Sequence, residues 1–297
     1  MCPMLKIRVP ATSANLGPGF DCLGLALDIW NEVSFDWSEE MIFHVTGEGA
    51  EKLDNHPKNL LTKSFAQVYE VCGRSFAGVK VESHNSIPLS SGLGSSASAI
   101  VAGIFGANEM LGRPLDTGAI LKLAAQIEGH PDNVGAALLG GLVISVMDDT
   151  EIITRRYEIP ETPIVVIKPN VDLPTQVARS VLPKSISRED ALFNIGRTPL
   201  VVDALRCGDL DLLKKVMDDR LHQPYRLEHI TGGMKAYQTA REYGAAALSG
   251  AGPSIICFVE AGKEGAALTN IKAAFEEQGI DAVGLITKPS KLGTHGV

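Results

Sequence analysis

Apolar positions along this chain fall into two spacings, and their alternation predicts the elements. Lys6–Val9 alternates as a short strand, and Asn31–Trp37 and Met41–Thr46 read as two strands with a turn between them. Leu61, Phe65, Val68 and Cys72 recur on one helical face, which predicts a helix over Leu60–Cys72. A strand over Gly78–Ser83 follows, then a helix of small residues over Ser95–Leu111. A second helix spans Leu115–Glu128, with Asp116 or Thr117 at its start. Leu142–Met147 and Ile164–Ile167 are strand-like apolar runs. Leu210, Leu213, Met217 and Leu221 predict a helix over Leu210–Leu221 with Asp209 as N-cap. Ala245–Leu248 and Ser254–Val259 read as strands around a glycine turn, and Ala266–Gln278 as a last amphipathic helix. Strands and helices mix without a strict βαβα rhythm, which predicts an α+β protein. The polar break Asp148-Asp149-Thr150, followed by Pro160 and Pro163, suggests two domains, 1–155 and 156–297.

Composition narrows the function. The chain has 297 residues, 45% hydrophobic and 21% charged, so it can bury a sizeable core and is not globally disordered. A net charge of −8 argues against nucleic acid or an anionic membrane as the partner. It leaves phosphate ligands open, because backbone N–H groups bind phosphate without net positive charge. The five cysteines, at 2, 22, 72, 207 and 257, form no C-x-x-C and read as reduced thiols. No signal-peptide core occupies residues 1–12, and no apolar run reaches the roughly 18 residues of a membrane span. The expectation is a soluble cytoplasmic protein. The 30 glycines matter because they cluster: Gly17, Gly19 and Gly24; Gly92 and Gly94; Gly244, Gly250 and Gly252. Each cluster marks a place where backbone approaches something closely.

The most informative run is Pro88, Leu89, Ser90, Ser91, Gly92, Leu93, Gly94, Ser95, Ser96, Ala97, Ser98 and Ala99, after a strand and at the start of a helix. Two glycines let successive N–H groups turn inward, the helix N-terminus adds partial positive charge, and the serines add donors. This is an anion site. No lysine follows Gly94, so it is not a Walker A loop. Gly92, Gly94 and Ala97 meet the Rossmann pattern literally, but Glu109 and Asp116 fall in or between helices, not at the end of a second strand. Small residues at Ala97, Ala99 and Ala102 let the helix pack close to the sheet.

P-x-S-S-G-L-G-S-S-A resembles the ATP loop of the GHMP kinases, which bind ATP phosphates without a P-loop. Pro10-Ala11-Thr12-Ser13-Ala14-Asn15-Leu16-Gly17-Pro18-Gly19-Phe20-Asp21 resembles the N-terminal motif of the family's branch that phosphorylates L-homoserine. Ser249-Gly250-Ala251-Gly252-Pro253-Ser254 resembles the family's third, C-terminal glycine motif. Glu128-Gly129-His130-Pro131-Asp132-Asn133-Val134 is similar to that branch's E-G-H-x-D-N-V. The resemblance spans nearly the whole chain. It implies an N-terminal domain like ribosomal protein S5 domain 2, a ferredoxin-like C-terminal domain, ATP and Mg2+ as cofactors, and a homodimer.

It also implies roles. Residues 88–98 hold ATP, and Ser96 with Glu128 holds the metal, Ser95 or Ser96 being open on spacing alone. Asp21 takes the substrate ammonium, and Arg179 and Arg226 its carboxylate, since guanidinium binds carboxylate in a fork. Thr175 and Arg179 look like the family's T-x-x-x-R element, and Asn15 and His130 hold the substrate hydroxyl or carboxylate. Sugar and mevalonate kinases carry a catalytic aspartate where this chain has Asn133, which accepts no proton at neutral pH. Direct proton transfer to phosphate, helped by Arg179, is the expected route. Gly135-Ala136-Ala137 replaces the usual Ala-Pro-Ala and is expected to loosen a turn. His222 and His229 lack metal-ligand spacing and carry no assigned role. Against this stand a kinase of the same family acting on mevalonate, a sugar or shikimate, a non-catalytic nucleotide-binding regulator, and a Rossmann reductase.

Overall fold

The computed structural model describes residues 4–54, 59–148 and 151–297. Cys2 and the Asp149-Thr150 part of the polar break lie outside the described residues. In chain order the first half runs β1 Leu5–Ala14, β2 Leu23–Trp37, β3 Ile42–Gly47, α1 Ala50–Leu53, α2 Leu60–Val71, β4 Val79–Asn85, α3 Ser95–Met110, α4 Thr117–Glu128, α5 Asp132–Leu139, β5 Leu142–Met147 and β6 Ile152–Tyr157. The second runs β7 Ile164–Pro169, α6 Thr175–Ser180, α7 Arg188–Cys207, α8 Leu210–Val216, α9 Gln223–Leu227, α10 Gly233–Tyr243, β8 Gly244–Leu248, β9 Ile255–Val259, α11 Glu264–Glu276, β10 Ala282–Thr287 and β11 His295–Gly296. Helices and sheets are segregated into two units, an α+β arrangement. Among the described residues no helix is long and apolar enough to cross a membrane, and the four described cysteines are free.

The first sheet follows β11-β1-β2-β4-β3, with β5 pairing β2 and then β6. β2 and β3, expected as neighbours across a turn, are separated by β4, which pairs β2 antiparallel and β3 parallel. The register of β1 on β2 shifts between Pro10 and Ala11, leaving Asp28 and Ile29 as extra residues on β2. The bulge turns the strands over. Before it Ile7 and Val9 face the core under α2, α3 and α4, with Val33 and Phe35; beyond it Ala11, Leu25 and Leu27 face a second core.

The second sheet runs β10-β7-β9-β8. Strands β7, β8 and β9 are apolar at nearly every position because both their faces are covered, while the edge strand β10 leaves Val283 and Ile286 exposed. Ile164, Val166, Ile256 and Phe258 meet Ala11, Leu25 and Leu27 in the core between the sheets, while Val165, Ile167, Ile255 and Cys257 pack under α10 and α11. The two halves therefore share an apolar core.

Local chemistry sets the helix ends. Asp116 accepts from the Ala119 N–H and caps α4, which Gly129 closes in the left-handed conformation. Asp209 caps α8 as expected, but that helix stops at Val216, so Leu221 lies beyond it. Residues 135–137 lie inside α5, not in a turn, and Gly135 donates to the Pro131 carbonyl. The absent proline therefore leaves a regular helix. In α3, Ala97 and Ala102 are buried as expected, and Gly103 and Gly106 allow the closest approach. A Cβ on Gly103 would overlap the Leu61 carbonyl of α2, and one on Gly106 the Phe35 ring. Gly118, near the start of α4, is exposed and meets nothing closer than 3.4 Å.

One substitution should therefore act with opposite signs. Gly118→Ala should stabilise by about 0.5 kcal/mol through unfolded-chain entropy. Gly103→Ala should lower stability by roughly 1 kcal/mol or more, because backbone overlap outweighs helix propensity. Urea midpoints with unchanged slope measure both.

Candidate active site

The three glycine clusters meet in space. The segment after β1 turns sharply through Asn15, Leu16, Gly17 and Asp21, all at positive φ, before entering β2. The loop before α3 turns at Ser90, Gly92 and Gly94, also at positive φ, and Gly94 is the α3 N-cap. Backbone bonds tie the segments together: Thr12 N–H to Leu93 O at 3.1 Å, Gly250 N–H to Ala14 O at 3.1 Å and Ser254 N–H to Ser91 O at 3.3 Å. The Ser249 hydroxyl bonds Gly92 O at 2.7 Å and Ser13 Oγ at 2.9 Å. A Cβ on Gly92 would overlap the Ser249 carbonyl, and one on Gly94 the Thr12 hydroxyl. Only glycine permits this approach.

A cavity of about 190 Å³ opens over the junction. It brings together Asn15, Asp21, Ser90, Ser91, Gly92, Gly94, Ser95, Ser96, Glu128, His130, Asn133, Thr175, Arg179 and Arg226, all singled out in the sequence. On one wall Ser96 Oγ donates to Glu128 Oε2 at 2.6 Å. In the same cavity Arg179 grips Asp21 with two nitrogens at 2.8 and 3.1 Å. His130 Nδ1 bonds Asp132 Oδ1 at 2.6 Å, and Asn133 Oδ1 accepts the Thr12 hydroxyl at 2.7 Å. Asn15 spends one Nδ2 hydrogen on Gly250 O at 2.7 Å, and its Oδ1 accepts the Asp21 N–H at 3.0 Å.

Other parts of the 88–98 run face elsewhere. Leu93 and Ala97 point into the apolar cores, so any ligand contact there is through backbone. Ser91 Oγ is spent within the loop, donating to Pro88 O at 2.7 Å and accepting from the Leu93 N–H at 3.2 Å. Pro88 lies off the cavity wall, while Leu89 and Ser98 line a neighbouring cavity of about 270 Å³. That space has an apolar wall including Val33, Phe43, Leu53 and Leu60, and shares Ser90, Ser95 and Ser96 with the first.

Residues 59–141 match the GHMP kinases N-terminal domain family and residues 201–281 the GHMP kinases C-terminal family. The chain is 44% identical to a homoserine kinase of Moorella thermoacetica, over 93% of this chain and 94% of that protein. It is 39% identical to a homoserine kinase of Carboxydothermus hydrogenoformans, over 98% and 96%. This chain belongs to the GHMP kinase family. The crystal structure of homoserine kinase from Cytophaga hutchinsonii superposes with a TM-score of 0.88 at 28% identity, covering 100% of this chain and 98% of that one.

Burial tunes the charges of this GHMP kinase site. Desolvation raises the Glu128 pKa, against the Ser96 hydrogen bond and the His130 charge. For His130 burial acts downward, but the hydrogen bond and charge of Asp132, with Glu128, leave its pKa above 6.5. Among the described residues Arg226 is the largest fully buried side chain, at 1% exposure. Burial first, and the Arg179 charge second, lower its pKa to about 10, so it is a cation at neutral pH.

Sequence reasoning missed Thr12, Asp219 and His222. Asp219 Oδ2 accepts the N–H groups of His222 and Gln223 at 2.8 and 2.6 Å, directly before α9. The signal was D-x-x-H-x-P-x-R, an acidic cap ahead of a proline at a helix start. His222 is completely buried between Gly17 and Arg226, and desolvation lowers its pKa from 6.5 to about 4, while Asp219 and Asp21 act upward and Arg226 downward.

Between pH 6.5 and 4 the unfolded chain therefore takes up a proton that native His222 refuses. Its contribution is present above pH 6.5 and is lost as the pH falls toward 4. The unfolding free energy from urea titrations should fall more steeply with acid in the native protein than in His222→Asn, by up to about 1.4 kcal/mol per pH unit.

Proposed function

We propose that this GHMP kinase transfers the γ-phosphoryl group of ATP to the side-chain hydroxyl of L-homoserine, giving ADP and O-phospho-L-homoserine on the route to threonine. The observation that carries this reading is that one cavity holds the glycine-serine loop together with Asp21, Arg179 and Arg226. A zwitterion uses charges of both signs. Mevalonate and shikimate offer a carboxylate without an ammonium, and a neutral sugar offers neither. Asp21 takes the ammonium and Arg226 the carboxylate. The second Nδ2 hydrogen of Asn15, with His130, holds the substrate's remaining polar groups.

The loop N–H groups and the α3 N-terminus receive the phosphates, and the adjoining apolar cavity seats the adenine. Ser96 and Glu128 suit magnesium: two oxygens meet on one cavity wall, and this ion takes few protein ligands and keeps several waters. Among the described residues no group of three or more His, Cys, Asp or Glu is arranged to hold a metal, so phosphate oxygens and water would complete the shell. When bound, magnesium neutralises charge on the phosphates.

The remaining work is positioning. The homoserine oxygen bonds to phosphorus as the bond to the β,γ-bridging oxygen breaks. Arg179 and Thr175 donate to the charge that develops. Asn133 accepts no proton, and its Oδ1 is already held by Thr12. The hydroxyl proton therefore passes to an oxygen of the transferred group. The same reading includes a division into 1–155 and 156–297, supported by the polar and proline break near 150–163, a cytoplasmic setting, supported by the unpaired cysteines and the lack of a long apolar run, and a homodimer, which rests on the family resemblance.

Release of ADP with magnesium-ATP should occur with L-homoserine and not with mevalonate, galactose or shikimate. Faster turnover of any of those three would overturn the substrate assignment. Arg226→Ala and Asp21→Ala should each lower kcat/KM for homoserine by roughly 30-fold or more, as loss of a charged hydrogen-bond partner does. Asn133→Asp should lower activity, since it sets a carboxylate beside Asp132 and Glu128. A large gain would overturn direct proton transfer to the phosphoryl group.

A further inference from the structure

His222 lies outside every role assigned above, yet both its ring nitrogens are committed. Nε2 is 2.9 Å from Gly17 O, and Nδ1 is 3.1 Å from Arg226 Nη1. A carbonyl only accepts and a guanidinium only donates, so Nε2 carries the hydrogen and Nδ1 offers its lone pair. The ring is therefore the neutral Nε2–H tautomer. Asp219 Oδ2 lies 3.6 Å from Nε2, beyond hydrogen-bond reach, and instead fixes the backbone at His222 and Gln223.

Arg226 sits four residues on, at the end of a long side chain. Its Nε donates to Ala178 O at 3.1 Å, and its Nη1 to Gly250 O at 3.2 Å as well as to His222. Among the described residues Nη2 has no protein partner, and Arg226 lines the cavity. The His222 ring stacks on Phe20 at 5.1 Å, and the Arg226 guanidinium lies 5.2 Å from the same ring. His222 thus joins the segment after β1 to the arginine of α9.

We propose that His222 is a positioning residue: its unprotonated Nδ1 holds the Arg226 guanidinium by one nitrogen so that the rest of the fork presents to the substrate carboxylate. A neutral acceptor suits this task. A carboxylate there would neutralise Arg226 and compete with the substrate, and an imidazolium would repel it. This rests on the reading of Arg226 as the carboxylate ligand.

The test separates the two ring nitrogens. Asn at 222 places an amide oxygen near the Nδ1 position and keeps an acceptor for Arg226. Gln places its amide nitrogen near Nε2, keeping a donor for Gly17 and losing the acceptor. His222→Gln should raise the homoserine KM by about tenfold or more, the scale of a hydrogen bond to a charged group, with ATP KM unchanged. His222→Asn should stay within about threefold of native on the same scale. Equal effects, or a larger effect of Asn, would make His222 a tether for Gly17 and overturn the proposal. Arg226→Ala distinguishes the levels: if it leaves the homoserine KM unchanged, the carboxylate reading falls and the proposal with it. If it raises KM while Gln and Asn at 222 do not differ, the proposal alone falls. Nitrogen-15 spectra of the native protein need no variant to fold. A protonated Nε2 and unprotonated Nδ1, with Nδ1 shifting when homoserine is added, supports the proposal; the other tautomer overturns it.

Discussion

Everything in this molecule turns on how closely three backbone segments approach one another around Gly92 and Gly94. The Ser249 carbonyl and the Thr12 hydroxyl occupy the space that side chains at those positions would need. The approach fixes where the α3 N-terminus points and which groups stand opposite it. The apolar core between the two sheets holds the segments in register, because Leu16, Leu23 and Leu93 belong to it together with Ile256 and Phe258. Rigid packing behind the loops lets a site built largely from turns keep its geometry.

The two arginines show how environment divides labour between like residues. Arg179 is more than a third exposed and already satisfied by Asp21, so its charge is balanced within the protein. Arg226 is buried and meets two carbonyl oxygens and a neutral imidazole, none of which carries charge. A buried cation without a counter-ion is costly, and an anionic ligand relieves that cost. The site is thus incomplete in charge on one side and complete on the other.

The parts of the fold that were legible in the sequence are those with a strong period or a strong cap. The α2 stripe of Leu61, Phe65 and Val68, the Asp116 and Asp209 caps, and the loop ahead of α3 all stand close to where pattern placed them. Other elements were invisible for physical reasons. α5 is buried at Asp132 through Leu138 and shows no polar face. α7 buries only Asn194, Val201, Ala204 and Leu205 across 20 residues, too sparse a stripe to recognise. β6 is an edge strand with no fully buried residue. In the site, the glycine-serine loop was readable because its chemistry is local, whereas Asp21, Glu128, Arg179 and Arg226 were marked out only by the family resemblance. The Arg226 environment was not readable, since an isolated arginine in a sequence reads as surface, and its partners Ala178, His222 and Gly250 come from three separate segments of the chain.

Residues 288–297 return from the second sheet to the first. Asp28 bonds Lys288 O, Ser290 bonds Ala26 O, Gly141 bonds Ser290 O, Thr294 bonds Ala137 O, and β11 pairs with β1. The Arg156 guanidinium reaches Lys291 O from β6. This strap means that the first half, though made earlier on the ribosome, lacks part of its own backbone bonding until residues 288–297 have been made. A nascent chain must hold β1 and α5 open on that side through the synthesis of the entire second half. The halves have separate sheets, but the first sheet is completed by residues that follow the second in the chain.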